Sequence, residues 1–124
     1  MEHKTFDLKA YAAKARETVA EGAVLLRNEN RTLPFDKGEK LAVFGRSQFN
    51  YYKSGTGSGG LVNTAPVPTI TQALEKSGRV QVDQALKGVY EEWLKDHPFD
   101  VGVGWAAEPW YQEEMPLDPA LVEK

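Results

Sequence analysis

Between the charged turn DKGEK and the glycine-rich run SGTGSGG lies a five-residue apolar stretch, LAVFG (41–45). A run so short and so continuously apolar, bounded by turn residues, predicts a buried strand of a parallel sheet. The residues beyond the glycines narrow the topology. Pro68 helps to start a helix predicted from Thr69 to Lys76, and Gly78 closes it. Val80 to Val82 then reads as a second strand. A strand, a loop, a helix and a strand in that order predict an α/β layer with a right-handed crossover.

A helix is also expected ahead of this unit, from Leu8 to Arg27. Asp7 can cap it, and Phe6 with Tyr11 has the spacing of a hydrophobic staple. Leu8, Tyr11, Ala12, Ala15, Val19, Ala23 and Leu26 recur at helical spacing, while Lys14, Arg16, Glu17 and Glu21 occupy the other face. Gly22 costs such a helix about 1 kcal/mol against alanine, so a close neighbour is expected there. Asn28, Asn30 and Pro34 end it. After the second strand, Leu86 to Lys95 predicts a further helix with Val89, Tyr90, Trp93 and Leu94 on its apolar side, so Trp93 is assigned to the core. The stretch FDVGVGWAAEPWYQEEMPL reads as an extended excursion with a short strand at Val101 to Val103. Asp118 and Pro119 announce a last helix, and Lys124 ends the chain about one turn later. Two or three strands fall short of a typical sheet of about five. A fragment is therefore expected, or a chain that completes its sheet with a partner.

Composition closes off several functions. The 124 residues carry a formal net charge of −3, without the basic footprint of a nucleic-acid binder. Cysteine is absent, which removes disulfides and thiolate metal sites. The two histidines, His3 and His97, lack a second-ligand spacing, so no metal is expected. No apolar stretch is long enough for a membrane helix, and MEHKTFDLKA has no signal-peptide core. If Met1 is the natural start, a cytoplasmic location is expected.

The glycine-rich run carries the chemistry. Gly55-Thr56-Gly57-Ser58-Gly59-Gly60 satisfies G-x-G-x-x-G, and Asp83 could imitate a ribose-binding acid. That fingerprint needs a strand ending at the first glycine and a helix opening at the last. Here the strand ends near Gly45 and the helix waits until Thr69, so a dinucleotide fits poorly and no cofactor is assigned. A plain surface loop is one alternative. Against it, the run leaves the carboxyl end of a strand, where open α/β sheets place ligands. It offers backbone N–H groups, the hydroxyls of Ser54, Thr56 and Ser58, the cation of Lys53, and the rings of Tyr51 and Tyr52. Hydroxyl and amide donors beside a ring suit an uncharged, polyhydroxylated ligand such as a sugar.

Three motifs in order, AKARETVAEGAVLLRNENRTLPF, LAVFGR and SGTGSGGLVN, resemble the αβα-sandwich domain of glycoside hydrolase family 3, the β-glucosidase family. The matching positions are Val24 to Glu29, Leu33-Pro34-Phe35, Ala42 to Gly45 and Gly55 to Gly60. Residues 10–86 carry the likeness well and 88–117 poorly. The resemblance implies a fold of class α/β, a partial three-layer αβα sandwich with a short, mostly parallel sheet. The expected divisions are 1–36 for the first helix and connection, 41–87 for the strand, loop, helix and strand, and 88–124 for the variable excursion and final helix.

The same resemblance implies hydrolysis of terminal β-linked sugars with retention of configuration. Such chemistry needs two carboxyls about 5 Å apart, a nucleophile and an acid/base. The family's nucleophile lies in a TIM-like barrel, in a motif resembling Ser-Asp-Trp, and its acid/base glutamate follows a later strand in a Gly-Glu motif. This chain has no such triplet, and Gly38-Glu39 precedes the first strand. No catalytic residue is therefore assigned, and the chain alone is expected to be inactive. Some members carry the sandwich before the barrel, as the position of the first helix here implies. The role left to the chain is the glycine-rich loop, with Ser58 first and Thr56, Ser54 and Lys53 behind it as sugar contacts. The competing reading of Ser58 is a hydroxyl bonding its own backbone. Trp105, Trp110 and Tyr111, beside Glu108, Glu113 and Glu114, could line a sugar subsite. The favoured reading packs the tryptophans against the sandwich or the barrel and leaves the acidic groups, whose spacing fixes no carboxylate pair, as a solvated surface. A different class of function also stands: a self-standing carbohydrate-binding or assembly module that completes its sheet as a homo-oligomer.

Overall fold

The computed structural model describes residues 6–51, 67–103 and 109–122, with 121 and 122 described by their backbone alone. It divides into two compact units, Met1–Pro34 and Phe35–Lys124.

In the first unit, α1 spans Leu8–Gly22. The Asp7 carboxylate accepts hydrogen bonds from the backbone N–H groups of Lys9 and Ala10, each at 3.0 Å. Phe6 and Tyr11 meet with ring centroids 5.1 Å apart, as the staple requires. The helix stops five positions short of the expected Arg27, because Ala23 is extended (φ −79°, ψ 123°) and Gly22 is simply the last helical residue. No neighbour explains that glycine: among the described residues, and apart from its chain neighbours and the backbone of its own helix, no atom lies within 4 Å of a Cβ built there. Beyond it, the Asn28 amide imitates a backbone pairing. Its Oδ1 accepts from the N–H of Leu33 (3.0 Å) and its Nδ2 donates to the carbonyl of Leu33 (2.6 Å). The enclosed 3-10 turn, Glu29–Arg31, holds Asn30 and Arg31 at positive φ. The Leu33–Pro34 peptide is cis.

The second unit is built on a parallel pair, β1 (Lys40–Leu41) and β2 (Gln81–Val82), in the register Lys40↔Gln81 and Leu41↔Val82. Gly38 N donates to Arg79 O, Gln81 N to Glu39 O and Asp83 N to Leu41 O, at 2.7, 2.8 and 2.8 Å. The helix between the strands, α2, runs Ile70–Ser77. Thr69 caps it in a reciprocal box with Gln72, and Gly78 ends it in the left-handed conformation. Asp83 turns β2 directly into α3 (Gln84–Asp96), accepting from Leu86 N at 2.9 Å.

The expected strand over 41–45 is thus shorter than its apolar run. Its described partner, β2, becomes α3 at Asp83, so nothing pairs opposite Ala42 to Phe44 among the described residues. Nor is the run fully buried: Leu41 and Val43 are half-buried, while Ala42 and Phe44 are exposed. The strand expected at Val101 to Val103 is not formed, and both valines are exposed. The final helix, α4 (Pro119–Val122), is present, with Asp118 accepting from Ala120 N.

The core is small. Leu86, Tyr90 and Met115 form a buried cluster, with Phe49 and Trp93 packed against it, and Val82 on β2 and Val80 just before it are buried. Trp93 is a core residue as expected, though only half-buried.

A polar contact ties α2 to α3. Glu75 accepts from Lys87 Nζ at 2.7 Å and from Gln84 Nε2 at 3.2 Å. The Lys87 bond first, and the Gln84 bond after it, hold the Glu75 carboxyl below the ordinary glutamate value. A depressed folded pKa stabilises above the unfolded value of about 4.3, and the benefit is lost as pH falls through the folded pKa. Between about pH 6 and pH 3, the urea midpoint of the chain is therefore expected to fall more steeply than that of Glu75→Gln. Parallel pH profiles for the two proteins would remove Glu75 as a source of acid sensitivity.

Candidate functional site

The chain leaves β1 toward residues 52–66 through a root that is closely specified. Gly45 has φ 93°, a conformation that disfavours any side chain, and it opens the 3-10 turn Arg46–Gln48. Its N–H donates to the hydroxyl of Tyr90, 2.9 Å away and 1% exposed on α3. A tyrosine so deeply buried needs a partner for its polar end, and this backbone N–H supplies it.

Arg46 is the central residue of the root. It is 3% exposed, yet among the described residues no carboxylate lies within 4 Å of its guanidinium. Instead Nη1 donates to the carbonyl of Glu113 (2.6 Å) and Nη2 to that of His97 (2.9 Å). The guanidinium also lies over Trp93, 5.4 Å from the ring centroid, and Trp93 stacks on His97 at 4.1 Å. Among the described residues, Arg46 Nε and the buried Gln48 Oε1 have no partner. The backbone N–H of Arg46 donates to the Glu114 carboxylate, at 2.9 Å to Oε2. Gln48 then fastens the turn to its surroundings: Nε2 donates to Val43 O, and its own carbonyl accepts from the buried Thr71 hydroxyl.

The far side of the segment is held as well. The Tyr51 hydroxyl donates to Pro68 O at 3.0 Å, so the points where the chain departs and returns are bonded to each other. Beside them opens a groove of about 340 Å³ lined by Phe49, Asn50, Thr69, Gln72, Lys87 and Glu91 among others. One ring, amides, hydroxyls and both signs of charge meet there, a lining that can hydrogen-bond a neutral polar molecule in either sense.

The residues singled out from sequence for sugar contact, Lys53, Ser54, Thr56 and Ser58, lie outside the described residues, as do Tyr52, Trp105 and Glu108. Trp110 is fully exposed and Tyr111 is 82% exposed, so neither belongs to the core of this unit. Sequence reasoning gave no role to Arg46 or Gln48, named Glu114 only among the acidic residues beside a possible sugar subsite, and placed Tyr90 only as an apolar residue. A signal was available in the polar pair of GRSQF, set between an apolar run and a ring, where an amphipathic turn would be ordinary surface.

Comparisons with known proteins agree with this architecture. The glycosyl hydrolase family 3 C-terminal domain matches residues 23–114, which carries the likeness through the excursion that sequence reading matched poorly. A β-glucosidase of Ruminococcus albus is 52% identical over 118 residues, covering 95% of this chain and 12% of that protein. β-Glucosidase A of Butyrivibrio fibrisolvens is 34% identical over 109 residues, covering 84% and 13%. The crystal structure of a β-glucosidase from Paenibacillus barengoltzii superposes with a TM-score of 0.84 at 49% identity, covering 94% of this chain and 13% of that one. The chain thus spans only about an eighth of the length of these relatives. A parallel βαβ unit with its first strand opening into a glycine-rich segment, matched over most of its length in both sequence and structure, belongs to glycosyl hydrolase family 3, within that family's C-terminal domain.

Proposed function

We propose that the chain works as part of a retaining β-glycosidase of the β-glucosidase type, to which it supplies the glycine-rich segment 52–66 as one wall of the sugar pocket. The observation that carries this reading is the family match together with the root: the segment departs and returns at one bonded point beyond the carboxyl end of β1. Ser58, with Thr56, Ser54 and Lys53, donates hydrogen bonds to sugar hydroxyls. The two carboxyls that retention requires come from elsewhere in the polypeptide, the nucleophile from a barrel domain and the acid/base from beyond a later strand. The segments 1–36, 41–87 and 88–124 serve as first helix and connection, substrate-loop unit, and variable excursion. The cytoplasm is the proposed location.

The test uses a polypeptide that joins this segment to its catalytic barrel. Ser58→Ala is expected to raise KM for an aryl β-glucoside about fivefold, the value of one ordinary hydrogen bond. Unchanged KM and kcat in Ser58→Ala, Thr56→Ala and Lys53→Met alike would leave the segment without a role in sugar binding.

One observation favours a second reading. Among the described residues the two strands pair only with each other, so no further strand is seen there on the outer edge of either. A binding or assembly module that adds strands from a second copy would use those edges. Sedimentation of the 124-residue chain as a folded monomer would remove it.

A further inference from the structure

We propose that Glu114 and Arg46 are positioning residues for segment 52–66, clamping its root to the chain around residue 114 through a reciprocal pair of contacts. The inference rests on the sugar-wall reading above for its enzymatic consequence, and on geometry alone for the clamp itself.

A 3-10 turn, like any helical turn, begins with backbone N–H groups that have no partner inside the turn. The usual remedy is a side chain at the capping position, but here that position is Gly45, which has none. Glu114, 68 residues away, supplies the cap instead. Its Oε2 accepts from Arg46 N at 2.9 Å, and its Oε1 accepts from both Arg46 N and its own neighbour Met115 N, at 3.2 and 2.9 Å. Space does not require the glycine, since a Cβ at position 45 would meet Glu114 Oε2 at an ordinary contact distance of 3.6 Å; the positive φ does. In the other direction, the Arg46 side chain donates to the carbonyl of Glu113. Residue 46 thus gives its backbone to one side chain and its side chain to the adjacent backbone. The logic is that of a capping box, worked between distant segments rather than within one turn.

The orientation of the turn sets the direction in which Phe49, Asn50 and Tyr51 carry the chain toward the glycines. Glu114 is itself exposed, and its hydrogen bonds are to two backbone N–H groups, Arg46 in the root and Met115 beside it, so its removal leaves the buried cluster in place. What it removes is the charge that caps the turn. Arg46→Lys removes the other half, since an ammonium does not span two carbonyls and cover Trp93 as the guanidinium does.

Two readouts test the clamp in the polypeptide that includes the barrel. Glu114→Ala is expected to raise KM for an aryl β-glucoside about fivefold with kcat nearly unchanged. Glu114→Gln, which keeps one acceptor oxygen, is expected to fall between it and the parent protein. Cleavage by proteinase K within 52–66 is expected to rise about tenfold in Glu114→Ala, with cleavage within 23–34 unchanged. Faster cleavage at both places would mean general loosening and would overturn the proposal, as would unchanged cleavage within 52–66. If Ser58→Ala raises KM while Glu114→Ala does not, the sugar wall stands and the positioning role fails. If neither variant moves KM but cleavage within 52–66 alone rises, the clamp stands and the sugar reading fails.

Discussion

Truncating Tyr90 to alanine is expected to destabilise the chain by about 4 kcal/mol, the range found for large aromatic residues removed from a core. Tyr90 is 1% exposed, lies in the same cluster as Leu86 and Met115, and has Phe49 beside it at 6.4 Å between ring centroids. Its ring and its hydroxyl do different work, and two variants separate them. Tyr90→Phe keeps the packing but strands the N–H of Gly45, at an expected cost of about 1–2 kcal/mol. Urea unfolding at constant m measures both. Equal losses in the two variants would place the whole effect in the hydrogen bond and leave the cluster with no share in it.

Arg46→Ala is expected to cost about 3 kcal/mol in the same measurement, because two carbonyls lose charged donors and the face of Trp93 loses its cover. The contact is easily mistaken for an ion pair, given how many acidic residues sit in EPWYQEEM. It is instead a cation solvated by peptide carbonyls. Arg46→Met separates charge from bulk: it fills much of the same space and donates nothing. If Arg46→Met is as stable as the parent, packing alone holds the root; a loss close to that of Arg46→Ala assigns the effect to the donors.

How much of this could be read before the structure depended on how local each cause was. The N-cap at Asp7, the staple of Phe6 on Tyr11, the start of α2 at Thr69 and its stop at Gly78 all depend on residues within a few positions of one another, and all were legible. That the two strands run parallel followed from element order, while the register of Leu41 with Val82 did not. The end of α1 was not legible, because Val24, Leu25 and Leu26 continue the helical apolar pattern although the backbone has already become extended at Ala23. The length of β1 depended on how far its neighbour runs, which no property of LAVFG records. The root of segment 52–66 was the least legible part. Glu114 looked like one more acidic residue in a solvated stretch, since its partner lies 68 residues away and is a backbone N–H rather than a side chain.

That last detail bears on how such a clamp would be passed from one relative to another. Arg46 grips the carbonyls of residues 97 and 113, and every residue type carries a carbonyl. Histidine and glutamate at those positions can therefore be exchanged without undoing the grip, and no compensating change is needed at position 46. Two positions that touch through side chains leave a record when they change together; an arginine whose side-chain hydrogen bonds all go to main-chain carbonyls leaves none through those bonds. Paired substitution across relatives would therefore be silent about this contact, and the arginine would stand out only as a position that does not vary.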